Sequence, residues 1–273
     1  MINYQGTALI TGASSGIGEQ FARALAARGM NVVLVARSLD KLLSLARELA
    51  AKYGVCAEAI GMDLGEVGGA NALFRETEAR GLKITLLINN AGFATHGAYQ
   101  DLKLAREQEQ IVLNVHALAS LTHLYLPQLL QKPGAGIINV ASTAAFQPLP
   151  YMAVYGASKA FVLSFSEALW AQLKGSNVSV LAFCPGPVKT RFAQVVGAPE
   201  AMVGTPDTPD FVVKKALAAL EKNRNFMIPR FGQYVLASLA RILPRSLAAT
   251  VSGNVLKPKD RQAPPAAQAG ARK

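Results

Sequence analysis

Tyr155 and Lys159 stand four positions apart, a spacing that puts both on one face of a helix. An ammonium beside a phenol favours the phenolate, pulling an ordinary pKa of about 10 toward working pH. A tyrosine tuned in this way gives a proton to a carbonyl oxygen or takes one from an alcohol. Ser142 closes the run GIINVAS (136–142) and can hold the same oxygen by a hydrogen bond. Asn114, in a long helical stretch, can anchor a water that connects Lys159 to solvent. A lone Tyr-x3-Lys is common on solvated helix faces and carries little by itself. Its weight here comes from what precedes it in the chain.

TGASSGIG (11–18) lies where the apolar run TALIT (7–11) passes into a stretch with Ile17, Phe21 and Leu25 at helical spacing. Gly12, Gly16 and Gly18 at such a junction allow a tight turn and close approach of backbone to a pyrophosphate, and the following helix N-terminus offers N–H donors. Ser14, Ser15 and Ile17 complete the same turn. The spacing is Gly-x3-Gly-x-Gly, and no lysine follows as in a phosphate loop of the GxxxxGK[ST] type. Asn89-Asn90-Ala91-Gly92 ends the run ITLLIN (84–89), and Asp63 follows a further expected strand near 55–61. Adjacent asparagines at a strand end tie loops together or contact a ribose, and Asp63 can accept from an adenine amino group. After the run NVVLVA (31–36) come Arg37 and Ser38, and no acid stands at 32–39. A fold selecting NAD(H) puts a carboxylate there for the ribose 2′-hydroxyl, whereas an arginine fork suits a 2′-phosphate. The expected cofactor is therefore NADP(H) rather than NAD(H).

The elements that must position these residues alternate. Strands at 7–11, 31–36, 55–61, 84–89, 136–142 and 177–183 are separated by helices near 17–28, 39–52, 67–80, 102–130 and 153–173. Strands spaced by such helices pair in parallel through right-handed crossovers. The fold class is α/β, a doubly wound, mostly parallel sheet with helices on both faces in a single domain over 1–256, with ligands at the carboxyl ends of its strands. Residues 190–210, broken by glycines and prolines, read as a lid. A helix (210–222), a strand (225–230) and a basic, apolar helical segment (231–256) follow. That last segment is expected to cover the pocket or a subunit interface, with peripheral membrane contact the second choice. The composition of 257–273 predicts a disordered tail.

Bulk properties exclude several classes. The chain has 273 residues, 51% of them hydrophobic, enough for one large core. No secretory leader and no apolar stretch of about 20 residues is legible, so the expectation is a cytoplasmic protein without a membrane span. Cys56 and Cys184, each in an apolar run, read as buried reduced thiols. His96, His116 and His123 have no metal-ligand spacing, so no metal is expected. The net charge of +11 collects toward the C-terminus without interleaved aromatics, which leaves nucleic-acid binding weakly supported.

From Gly6 to Thr190 the chain resembles the short-chain dehydrogenase/reductase family in its common form, through TGASSGIG (11–18), Asp63, NNAG (89–92), Asn114, Ser142, YGASK (155–159) and PGPVKT (185–190). The resemblance implies a Rossmann-type fold and hydride exchange between a carbonyl or alcohol and a nicotinamide cofactor. It implies a catalytic tetrad of Asn114, Ser142, Tyr155 and Lys159. Gly12, Gly16 and Gly18 would contact the cofactor phosphates, Asn90 the adenosine ribose, Asp63 the adenine and Lys159 the nicotinamide ribose. Pro185, Gly186, Val188 and Thr190 would flank the nicotinamide. It also implies a homodimer or homotetramer built on the helices at 102–130 and 153–173. Phe93, Phe146, Tyr151 and Phe192 are expected to form an apolar wall for a hydrophobic substrate. The alternative is a regulatory or scaffold protein that binds cofactor in the same fold without useful turnover.

Overall fold

Apolar runs with no polar face become strands covered on both sides, and the computed structural model, which describes residues 2–198 and 201–258, joins all of them in one sheet. The strands are β1 (Thr7–Thr11), β2 (Asn31–Ala36), β3 (Ala57–Gly61), β4 (Ile84–Asn89), β5 (Ala135–Val140), β6 (Val178–Phe183) and β7 (Phe226–Met227). Their order is β3-β2-β1-β4-β5-β6-β7, every neighbouring pair parallel. The helices, in chain order, are α1 (Gly16–Ala26), α2 (Leu39–Tyr53), α3 (Gly69–Ala79), α4 (Leu104–Ile111), α5 (Leu118–Leu130), α6 (Ala153–Gln172), α7 (Phe192–Val196), α8 (Pro209–Glu221), α9 (Phe231–Ile242) and α10 (Arg245–Leu256).

Alternate strand residues serve the two layers, as the two-residue period of a strand requires. Ile10, Leu34 and Ile88 pack with Phe21, Leu25, Leu42 and Leu217 from α1, α2 and α8. Leu9, Val33 and Leu87 pack with Leu73, Leu121 and Tyr125 from α3 and α5. The result is the doubly wound, Rossmann-type sheet. From β1 the chain steps outward to β2 and β3, then returns to β4 on the other side of β1. That reversal leaves a crevice beyond the carboxyl ends of β1 and β4, where such sheets bind ligands.

Several expected bounds change. β5 ends at Val140, and Ser142 instead caps a short 3-10 turn (Thr143–Phe146), accepting from the Ala144 N–H at 3.1 Å. The long helix is interrupted: a π-helical turn (Val112–Ala117) carrying Asn114 separates α4 from α5. The expected strand at 225–230 is only two residues long, because Pro229 has no N–H to extend the ladder. The segment 231–256 is two helices, since Leu243, before Pro244, takes the extended backbone that a following proline imposes (φ −65°, ψ 147°). Cys184 is buried as expected, but Cys56, in the turn before edge strand β3, is exposed. Most of the tail expected over 257–273 lies outside the described residues.

Candidate active site

The turn between β1 and α1 is held from β4. Asn90 Nδ2 donates to the carbonyls of Thr11 at 2.9 Å and Gly12 at 3.3 Å, and the Asn90 and Ala91 N–H groups both donate to Thr11 Oγ1 at 3.0 Å. Gly16 has φ +62°, a conformation that side chains disfavour. A Cβ on Gly18 would lie 2.3 Å from the Gly12 carbonyl oxygen and 2.6 Å from Asn90 Nδ2. The backbone is therefore bare and close-packed at the head of α1, a cradle of the kind a pyrophosphate needs. The residues present fit a dinucleotide.

This cradle forms one end of a cleft of about 780 Å³. All the candidates for the tetrad and the cofactor contacts line it except Gly18 and Asn114. Gly18 is buried against the glycine turn. Asn114, 1% exposed, lies behind the cleft wall. Its amide clasps Phe93 from both sides, Oδ1 accepting from the Phe93 N–H at 3.2 Å and Nδ2 donating to the Phe93 carbonyl at 3.0 Å. Nδ2 also donates to Ser158 Oγ at 3.1 Å, and Ser158 donates to the Tyr155 carbonyl at 2.8 Å. A Cβ on Gly92 would lie 2.9 Å from Asn114 Oδ1 and 3.6 Å from Lys159 Nζ, so the missing side chain leaves these two groups facing a shared gap. Lys159 Nζ donates to the Val140 carbonyl at 2.7 Å and lies 5.9 Å from the centre of the Tyr155 ring.

Burial sets the charges, and in the direction opposite to the sequence expectation. It raises the Tyr155 pKa above that of an ordinary phenol, with the Ser142 hydrogen bond working the other way. Lys159 falls to about 8 because its ammonium is stripped of water. Below that value Lys159 is charged in both folded and unfolded chains, and the folded one bears the desolvation cost. As pH rises from about 8 toward 10.5 the folded chain sheds the proton first, so stability rises. Urea unfolding without cofactor should show the wild type gaining on the order of 1–3 kcal/mol over Lys159→Met across that window. A pH-independent difference between the two proteins would disprove the depressed lysine.

The short chain dehydrogenase family model matches residues 6–201. The chain belongs to the short chain dehydrogenase family. A very-long-chain 3-oxoacyl-CoA reductase of Anas platyrhynchos is 35% identical over 206 residues, covering 74% of this chain and 65% of that protein, so the match spans less than two thirds of the relative's length. A short-chain dehydrogenase from Sphingobium yanoikuyae, solved with NADPH, is 32% identical with a TM-score of 0.78, over 95% of this chain and 99% of that one. A 7beta-hydroxysteroid dehydrogenase structure is 28% identical with a TM-score of 0.82, covering 91% and 96% of the two chains.

Beyond the motifs of this dehydrogenase family, the structure adds residues that no local pattern marks. Arg37 stands at the mouth of the cleft with Nη1 3.4 Å from Glu109 Oε1 and 3.7 Å from Asp63 Oδ2. Glu109, from α4, also pairs with Arg106. The acid missing beside Arg37 along the chain is thus replaced by two acids in space. Asp63 Oδ1 accepts from the Gly65 N–H at 2.8 Å. Gln233 of α9 presses on Gly186, and its buried Oε1 has no hydrogen-bond partner among the described residues.

The apolar wall differs from the expected one. Phe93 and Phe192 line the cleft, but Phe146 turns away to pack on Phe226, ring centres 5.9 Å apart, and Tyr151, at φ +64°, leans toward His96. Leu149, Met152, Leu236, Leu239 and Leu243 supply the wall instead. Among the described residues, no group of acids, histidines and cysteines could hold a metal ion.

Proposed function

We propose that this chain is an NADP(H)-dependent oxidoreductase that reduces a ketone or aldehyde on an apolar small molecule, with Tyr155 as proton donor. The observation that carries the reading is that Ser142, Tyr155 and Lys159 line the same cleft as the bare glycine cradle and Arg37. When bound, NADPH supplies the hydride. The Tyr155 hydroxyl gives its proton to the carbonyl oxygen as charge builds there, and burial favours this direction because it holds the phenol protonated. Ser142, whose hydroxyl reaches the Pro185 carbonyl only at 3.4 Å, is free to turn toward the same oxygen. Asn114 acts through position, fastening the Phe93 loop to the helix of Tyr155 by way of Ser158. The leucine- and methionine-rich wall excludes water and selects apolar substrates. Of the expected lid over 190–210, residues 199 and 200 lie outside the described residues; the rest, with α7 and the lining residues Phe192, Val195 and Met202, act as the lid.

A panel of bulky apolar ketones and aldehydes, followed by loss of NADPH absorbance, tests this. Turnover of at least one class is expected. Tight NADPH binding with no turnover on any of them would instead favour a cofactor-binding regulatory protein. Homo-oligomer assembly through the α4–α5 rod and α6 belongs to the same proposal, supported by exposed Leu104, Ile111 and Phe161 on those helices. A reducing, cytoplasmic setting suits two free thiols.

Cofactor choice has its own test. Arg37 must leave Glu109 to offer its fork to a 2′-phosphate, and that phosphate must sit near Glu109. Arg37→Ala should weaken NADPH binding about tenfold and leave NADH unchanged, and Arg37→Asp should reverse the preference. Glu109→Gln should tighten NADPH about two- to fivefold, because the exposed ion pair it dissolves is weak. Comparable kcat/KM for NADH and NADPH in the unaltered protein would refute the assignment.

A further inference from the structure

Helices α9 and α10 leave an apolar face without a partner. Phe231 and Ile242 are each 81% exposed, and Val235, Leu236, Leu239, Leu243, Leu247 and Val251 are exposed with them. On α9, residues 231, 235, 239 and 242 recur at the spacing of one helix face. Between residues 222 and 258 the chain has no Asp or Glu, while Lys222, Arg224, Arg230, Arg241, Arg245 and Lys257 are all there. Arg230 pairs with Asp207, and Arg241 lies 3.9 Å from Glu167. Among the described residues, no carboxylate lies in ion-pair range of Lys222, Arg224, Arg245 or Lys257.

We propose that this face docks on an anionic lipid surface, with the apolar residues among the acyl chains and the cations at the headgroups. Charge complementarity selects this occupant. A second copy of the chain docking through the same two-fold face would set these cations against their own equivalents, with no acid in the segment to offset them. No helix among the described residues is long and apolar enough to cross a membrane, so the contact is one of lying on the surface. Leu236, Leu239 and Leu243 belong both to this face and to the cleft wall. The lipid-facing surface therefore runs into the cleft, and, granting the carbonyl-reductase reading above, the substrate is a bilayer-partitioned carbonyl compound that enters from the lipid side.

The test is sedimentation of the 273-residue chain with vesicles of equal parts phosphatidylcholine and phosphatidylglycerol, and with vesicles of phosphatidylcholine alone. Binding to the first and not to the second is expected. Phe231→Ser with Ile242→Ser, neither of which lines the cleft, should lower the partition coefficient about tenfold or more. Arg245→Glu with Lys257→Glu should abolish the preference for the anionic vesicles. Unchanged NADPH affinity certifies the fold of each variant. The proposal is overturned if the wild type stays in solution with both vesicles, or if Phe231→Ser with Ile242→Ser leaves binding intact. It is equally overturned if that pair dissociates a wild-type oligomer in sedimentation velocity, which would make the face an interface between copies. Vesicle binding requires no turnover, so its loss and the failure of the reductase reading are separate results.

Discussion

Tyr155→Phe should lower kcat on the best substrate by about 10²–10⁴ while leaving fold and NADPH affinity close to wild type. The ring is buried against Phe192, centroids 5.8 Å apart, and phenylalanine fills the same volume, so packing is unchanged. Only the hydroxyl goes. No neighbour replaces it: Lys159 is turned to the Val140 carbonyl, and Ser142 can offer the oxygen a hydrogen bond but not a proton. A serine hydroxyl is a far weaker acid than a phenol. Retention of more than about a tenth of the wild-type kcat would remove Tyr155 from the role of proton donor.

Gly18→Ala should raise the Kd for NADPH by about ten- to a hundredfold and cost about 1–3 kcal/mol of stability, the usual range for forcing a methyl into a packed site. The new carbon would meet the Gly12 carbonyl and the Asn90 amide at once, at 2.3 and 2.6 Å. Neither yields cheaply, because one is backbone and the other holds the turn to β4. Gly29→Ala is the control: its φ of +85° makes alanine strained there too, but no atom lies within 4 Å of the added carbon. It should cost stability and leave cofactor affinity alone. Isothermal titration on both variants separates crowding from backbone strain, and an unaltered Kd for Gly18→Ala would mean that the turn does not hold the phosphates.

The strands were legible because burial on both faces leaves a continuous signature: β1, β2 and β4 fall where TALIT, NVVLVA and ITLLIN stand. Bounds set by single residues were harder. The break before Pro244 was open to reading from proline chemistry, whereas the π-helical turn at Asn114 left no compositional mark. The candidate site divides in the same way. Glycine turn, NNAG and YGASK are contiguous and announce themselves. Glu109 reaches Arg37 and Gln233 reaches the cleft from the faces of helices whose placement only the tertiary fold decides. Phe146 and Tyr151 show the converse, since a side chain next to the site in sequence can be aimed elsewhere by a 3-10 turn or a left-handed residue.

The π-helical turn has a further consequence, for the phasing of the rod it interrupts. Before and within it, Gln110 and Asn114 point to the loop that follows β4, holding Thr95 and Phe93. Beyond it, Leu121, Tyr125 and Leu129 must meet the sheet and α3, and Tyr125 Oη lies 2.7 Å from Thr77 Oγ1. A uniform α-helix advances about 100° per residue, and deleting one residue from Val112–Ala117 would rotate everything downstream by that angle. Tyr125 and Leu129 would swing off the sheet while Asn114 kept its place, or the reverse. The wide turn lets one rod stay in step with two partners whose spacings do not match.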